Sequence, residues 1–381
     1  MSTPQPGQSA VGSVRTPPAA GSSTSDTAAS ADTATAPHTA GSPDTAGVAA
    51  ARRRHVDVLA AAARNRNADP GHLGAARRYA FEQLHAAGWT LTEQPFITPA
   101  GLGVSDAGYP VANLWPLRLR GPVPGVNMIA TRGRPITERT LVVLAHLDSV
   151  RNSPGADDNA SGVAVILQAA EQIPDPDRSG LEGSRLGADR DVALVLVDLE
   201  EISLAGSTHL AATVTPGAVL NLESVGYYDR AKGSQRLPPG LGLAAPQLVD
   251  QIRSRRSAGD FVLVAHRPDS APIARLWAAA AEGAGLPTVV HQDDRRTGAG
   301  WRLERLVNLV GANLDRSDHA SFWNAGVPAV VVCDTAPLRN RNYHRPSDTP
   351  DTLDYHALAA VTAATVAAAR GWQTSTLTGD Q

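Results

Sequence analysis

Hydrophobic and polar positions change character along the chain. Over 1–48 almost every residue is Ser, Thr, Ala, Pro, Gly or Asp. Such a segment buries too little apolar surface to offset the entropy of ordering it, so it reads as a disordered tail. From Ala49 the pattern turns helical. Val56, Leu59, Ala60 and Ala63 recur at helical spacing until Asp69-Pro70-Gly71 breaks the run. A second helical stretch carries Ala75, Tyr79, Phe81, Leu84 and Ala87 and closes at Gly88, where a C-terminal glycine is expected. Then come short runs that are apolar throughout. Residues 141–145 lead into His146, 192–197 stop just before Glu200-Glu201, 218–222 run into Glu223, and 327–333 lead towards Tyr343-His344. Between the first two, Val165, Ile166, Ala169 and Ile173 line one face of a helix.

Runs apolar on both faces suit strands covered by helices on both sides. The alternation predicts an α/β fold: a three-layer α/β/α sandwich with a mixed, largely parallel central sheet. In such sheets ligands gather at the carboxyl ends of the strands, so polar residues at those ends matter most. The catalytic domain is expected over 49–375, with a short tail at 376–381 and no second domain. Residues 231–300, rich in Gly, Pro and Arg, read as irregular insertions and surface helices. The wider stretch 224–316 is expected to line the substrate pocket.

Composition narrows the function classes. With 381 residues and 42% hydrophobic content, the chain has ample core material, and a net charge of -3 argues against a nucleic-acid or anionic-membrane surface. Lys232 is the one lysine. One cysteine, Cys333, excludes an intrachain disulfide and, inside an apolar run, reads as packing. No apolar stretch reaches the roughly 18 residues of a membrane span. The N-terminus shows neither a basic start nor an apolar core, so a cytoplasmic location is expected, with export by another route left open.

The candidate chemistry lies in five short motifs: His146-Leu-Asp148-Ser149, the run from Gly155 through Asp157-Asp158-Asn159 to Gly162, Asp198-Leu-Glu200-Glu201, Asn221-Leu-Glu223, and Asn342-Tyr343-His344. Alone, each has an ordinary reading. A histidine at a strand end is usually structural, a Glu-Glu pair usually an exposed loop, and Asp-Asp-Asn-Ala-Ser before a helix usually a cap. Together they occupy positions that a parallel sheet would bring to one end. Carboxylates gathered there repel and desolvate one another unless a cation compensates. Two histidines and three carboxylates match what a pair of zinc ions takes from protein.

These motifs, with Leu204-Ala-Gly-Ser207, Ser317-Asp-His319, Phe322, Arg339-Asn340 and the run 348–354, resemble the M28 family of zinc peptidases from about Val56 to Ala367. The resemblance implies a metallo-aminopeptidase that binds two zinc ions per chain and acts on peptides with a free N-terminus. Asp158 would bridge both metals, His146 and Glu223 would complete one site, and Glu201 and His344 the other. Glu200 would be the general base acting on a water shared by the metals. Asp148 would support His146, and Tyr343 would stabilise the oxyanion. The peptide after Asp158 is cis in the relatives. One position departs: Glu223 stands where the secreted members carry aspartate. The alternatives are a glutaminyl-cyclase-like acyltransferase, or a carboxypeptidase or dipeptidase of the same clan. Tyr343 before His344, where those cyclases carry Trp, and Asn159-Ala-Ser-Gly after Asp158 argue against the cyclase. His319 is expected to fix the Tyr343 loop, His209 to lie on a helix surface, and His266 and His291 to border the pocket.

Overall fold

The computed structural model describes residues 43–104, 106, 117–175, 190–294 and 315–374. Most of the expected tail, and the expected end segment 376–381, lie outside them. The first helix, α1 (Pro43–Leu59), begins before the composition changes at Ala49. The Asp69-Pro70 pair that reads as a breaker instead starts α2 (Pro70–Ala86): Asp69 caps it by accepting from the His72 N–H at 2.8 Å, and Pro70 takes the first turn, where a missing N–H costs nothing.

Among the described residues ten strands follow in chain order: β1 (Thr90–Thr98), β2 (Gly101–Val104), β3 (Leu117–Arg120), β4 (Val123–Thr131), β5 (Thr140–His146), β6 (Asp191–Val197), β7 (Ala218–Glu223), β8 (Val262–His266), β9 (Thr288–Gln292) and β10 (Ala329–Cys333). Eight form one sheet in the order β1-β4-β6-β5-β7-β10-β8-β9, while β2 and β3 make a separate ribbon. The central strands β6, β5, β7 and β10 are parallel. On one flank β4 and β1 run antiparallel; on the other, β8 is antiparallel to β10 and parallel to β9. The sheet is therefore mixed, with a parallel centre.

Alternate residues of the central strands feed opposite cores, which is why these runs are apolar throughout. From β5, Leu141, Val143 and Ala145 face a cluster shared with α3 (Gly162–Ala170), α7 (Ala271–Gly283) and the long C-terminal helix α10 (Tyr355–Thr374). Val142 and Leu144 face the opposite cluster, built with Leu210 of α4 (Ala205–Ala211) and Phe322 and Trp323 of α8 (His319–Asn324). The stretch 231–300 is more regular than its composition suggests. It supplies β8 and β9 to the sheet, and α6 (Pro246–Ser254), with α5 (Leu241–Ala244) before it, packs Leu248, Val249 and Ile252 on Leu263 and Val289. Among the described residues no helix is long and apolar enough to cross a membrane.

The chain passes from β5 to β6 on one side and places β7 on the other. A reversal of this kind opens a crevice at the strand ends, and His146 and Glu223 end the two strands that border it.

Candidate metal centre

His146 closes a strand buried along its whole length. Its Nδ1 lies 3.0 Å from the carbonyl of Asp148, an acceptor that fixes a proton on Nδ1 and leaves Nε2 as the nitrogen available to a metal. Nε2 lies 3.0 Å from Asp158 Oδ1 and 3.5 Å from Glu223 Oε1. On the far side of Asp158, His344 Nε2 lies 2.9 Å from Oδ2 and 3.4 Å from Glu201 Oε2. Two triads result, His146–Asp158–Glu223 and Asp158–Glu201–His344, each with its donor atoms within 4.8 Å of one another. Both imidazoles address opposite oxygens of one carboxylate. Nε2 of His146 and Oε1 of Glu201 are buried without a hydrogen-bond partner. Buried polar atoms are rarely left so, and nitrogen and oxygen donors at this spacing suit zinc.

Asp158 sits in a tight turn (Ala156–Ser161) before α3, entered through Gly155 at φ 63. A Cβ on Gly155 would lie 2.2 Å from the Asp158 carbonyl, so only glycine fits. The Asp158–Asn159 peptide is cis. Asp348 accepts from the N–H groups of Asp157 at 2.9 Å and Asp158 at 3.2 Å. Asn159 donates to Leu222 O at 2.8 Å and accepts from Ser224 N at 3.2 Å, tying the turn to the exit of β7. Asp157 accepts from Gly226 N at 2.9 Å and Asn340 Nδ2 at 2.7 Å. Asn340 also accepts from Asn342 N at 2.9 Å, in the turn that delivers His344 at φ 59.

After β6 the chain turns sharply, with Leu199 at φ 60 just ahead of the glutamates. A left-handed leucine costs roughly 1–2 kcal/mol. Asp148 holds this turn, accepting from Glu200 N at 3.1 Å and Glu201 N at 3.3 Å. Its carboxylate is 3.7 Å from His146 Nδ1, whereas its own carbonyl is the closer partner. Asp148 therefore holds the glutamate turn through its carboxylate while its carbonyl receives the His146 imidazole. Asp198 anchors the same turn through Arg77 and Arg66. Glu223 accepts from Ser317 Oγ at 2.7 Å, and Ser317 accepts from Asn221 Nδ2 at 2.6 Å.

The electrostatics reflect crowded acid. Burial pushes Glu200 and Glu201 well above the usual carboxylate range. Burial opposes charge on His146, but Glu223 and Glu200 outweigh it and hold the imidazole well above its ordinary value. Asp158 is the exception. Burial would raise it, yet His146 and His344 keep it below the usual range. Burial, then Asp158, pushes the Tyr343 phenol up; its ring stacks on His344 with centroids 3.9 Å apart. Glu200 belongs to neither triad.

The remaining histidines, Cys333 and three further residues take the following places. His319 is buried and meets Trp323 edge-on at 4.4 Å. His209 is on α4 and stacks on Phe96 at 5.1 Å. His266 is buried at the end of β8 with Nδ1 on the Arg267 carbonyl at 2.8 Å, and His291 lies on β9. Cys333 pairs in register with Glu223, and burial pushes its thiol up to about 12, so it stays protonated at neutral pH. Asp348 and Asn340 occur in the family-like motifs but carried no assigned role. Arg64, buried between α1 and α2, left no periodic signal.

Comparison with known proteins defines the class, a peptide hydrolase. The model of peptidase family M28 matches residues 127–260 and 302–369. YfbL of Escherichia coli K12, described as uncharacterized, is 30% identical over 261 residues, covering 62% of this chain and 68% of YfbL. The chain belongs to peptidase family M28. Its fold is also that of BSAP, a zinc aminopeptidase from Bacillus subtilis (TM-score 0.52, 14% identity, 84% of this chain and 94% of BSAP). A glutaminyl cyclase from Fimbriiglobus ruber has a TM-score of 0.50 at 17% identity, covering 88% of this chain and 98% of the cyclase.

Proposed function

We propose that the protein is an aminopeptidase that binds two zinc ions, with His146, Asp158 and Glu223 holding one and Asp158, Glu201 and His344 the other. The observation that carries this reading is the pair of triads sharing Asp158. A pair of zinc ions bound there supplies Lewis acidity, lowering the pKa of water towards neutrality and polarising a carbonyl.

The chain's own residues supply the rest. Glu200, in neither triad and with its pKa raised by burial, accepts the proton of the attacking water and returns it to the leaving amine. Tyr343, beside His344, stays protonated and donates to the developing oxyanion. Glu223 and His344 are the partly exposed members of the triads, with 16% and 13% of their side chains accessible. Peptide therefore approaches on that side, where the acidic surround favours a cationic α-amine.

The test combines zinc analysis with hydrolysis of aminoacyl-nitroanilides and their N-acetyl counterparts. We expect turnover of the free-amine substrates alone, abolished by chelator. Glu200→Gln should lower kcat by roughly 10²–10⁴-fold while keeping its zinc. Wild-type turnover by that variant would remove Glu200 from the mechanism. Cleavage of blocked substrates would contradict the requirement for a free amine. Release of the last residue from an N-acetyl peptide with a free carboxylate would point to a carboxypeptidase, and pyroglutamate formation from an N-terminal Gln peptide to a cyclase.

A further inference from the structure

Arg64 is completely buried, yet it reaches none of its partners through a carboxylate contact. Nε donates to Leu147 O at 2.7 Å, Nη1 to Leu59 O at 3.0 Å and Pro154 O at 2.6 Å, and Nη2 to Gly155 O at 2.9 Å. Its backbone is laced as well: its N–H donates to Ser149 Oγ at 2.9 Å, and its carbonyl accepts from Ser149 N at 3.1 Å. The acceptors belong to three segments. Leu59 ends α1, Leu147 follows His146, and Pro154 and Gly155 lead into the turn of Asp158.

Burying a guanidinium away from water costs several kcal/mol, and an apolar side chain would fill the same space without that cost. What an apolar side chain lacks is a rigid planar fork able to hold several carbonyls at fixed spacing, together with a permanent positive charge. The charge has a use here. Burial pushes the guanidinium down to about 10, and Asp348, Asp158, Asp148 and Glu201 act in the opposite direction. Those four carboxylates are the ones crowded around the two triads.

We propose that Arg64 is a positioning residue of the metal centre: it fixes the strand end bearing His146 against the turn bearing Asp158 and offsets the ligand carboxylates, so that the donor spacing exists before zinc binds. The inference rests on the two-zinc reading. It predicts a defect in metal affinity that exceeds any general loss of stability. Arg52 is the control, because it too is a buried arginine, on α1, but donates to Thr362 on α10 at 3.2 Å.

The experiment is zinc competition against a chromophoric chelator, using the full-length chain, with thermal unfolding of the metal-free proteins in parallel. Arg64→Met should weaken zinc binding roughly 10–100-fold. Arg64→Lys keeps the charge but loses the fork, and its affinity should fall between Arg64→Met and wild type. Arg52→Met should lower the unfolding temperature and leave zinc affinity at the wild-type value. Should Arg64→Met fail to fold, Arg64→Lys carries the test. A folded Arg64 variant with wild-type zinc affinity would overturn this role while leaving the two-zinc reading intact. Failure of the wild-type chain to bind zinc would overturn both.

Discussion

His146 and His344 both turn Nε2 towards Asp158, yet the chain holds them differently. His146 ends a strand in the middle of the sheet, is inaccessible to solvent, and has Nδ1 fixed by the Asp148 carbonyl. Glu223, which shares its triad, ends the neighbouring strand and is gripped by Ser317. His344 stands in a turn, in a left-handed conformation, partly exposed and stacked on Tyr343. Glu201, which shares its triad, follows a second left-handed turn and has one buried oxygen without a hydrogen-bond partner. One half of the centre is thus set by hydrogen-bonded strands. The other is set by turns that depend on Asp148 and Asn340. Strand ends in a packed sheet cannot shift without disturbing the core, whereas turns can, so the two zinc sites should differ in strength.

The harshest way to break this contrast is to remove what both halves share. Asp158→Ala should abolish binding of both zinc ions and bring peptide hydrolysis to background, as measured by elemental analysis and a nitroanilide assay. Retention of one tightly bound zinc would show that the halves are independent. A gentler test separates them. On chelator titration the wild-type chain should release its zinc in two steps, the first at least roughly tenfold weaker, and His344→Ala should keep the tighter step alone. Loss of both steps in that variant would contradict the asymmetry.

The smallest effect concerns the metal-free protein. Burial raises Asp157 from 3.8 to about 6 and Asp318 from 3.8 to about 7. Acids with raised folded-state pKa values contribute stability that is fully present below the unfolded value and is lost as pH rises through the folded one. Glu200, Glu201, Asp334 and Asp348 shift in the same direction. Metal-free protein should therefore become less stable to urea between about pH 4 and pH 7. Zinc should restore more stability at the upper end, since its ligands must shed protons. A flat or rising metal-free profile would show that these acids are already compensated.

Much of the centre of the molecule is legible in sequence because burial on both faces leaves an unbroken apolar run. The runs at 141–145, 192–197 and 218–222 became β5, β6 and β7, and His146, Glu201 and Glu223, which end or follow them, fell into the triads. The flanks were harder. β1 is exposed or half-exposed over most of its length, so no apolar run marks it, and its pairing with β4 is a long-range contact. β8 is fully buried but short, and the Gly, Pro and Arg around it disguised it as irregular chain. Asp69-Pro70 carried both a stop and a start signal, and the chain uses the pair to start α2, with Asp69 as its cap. The residues that hold the site eluded sequence reasoning for a different reason. Arg64 and Asp348 act through backbone groups, and Asn340 through the Asp157 carboxylate, all far away in the chain, and such partners leave no local pattern.

The most direct measurement is anomalous diffraction at the zinc edge from crystals grown with excess zinc. The account predicts two peaks flanking the Asp158 carboxylate, one within bonding reach of His146 and Glu223 and the other of Glu201 and His344. A lone peak, or zinc bound away from Asp158, would contradict it.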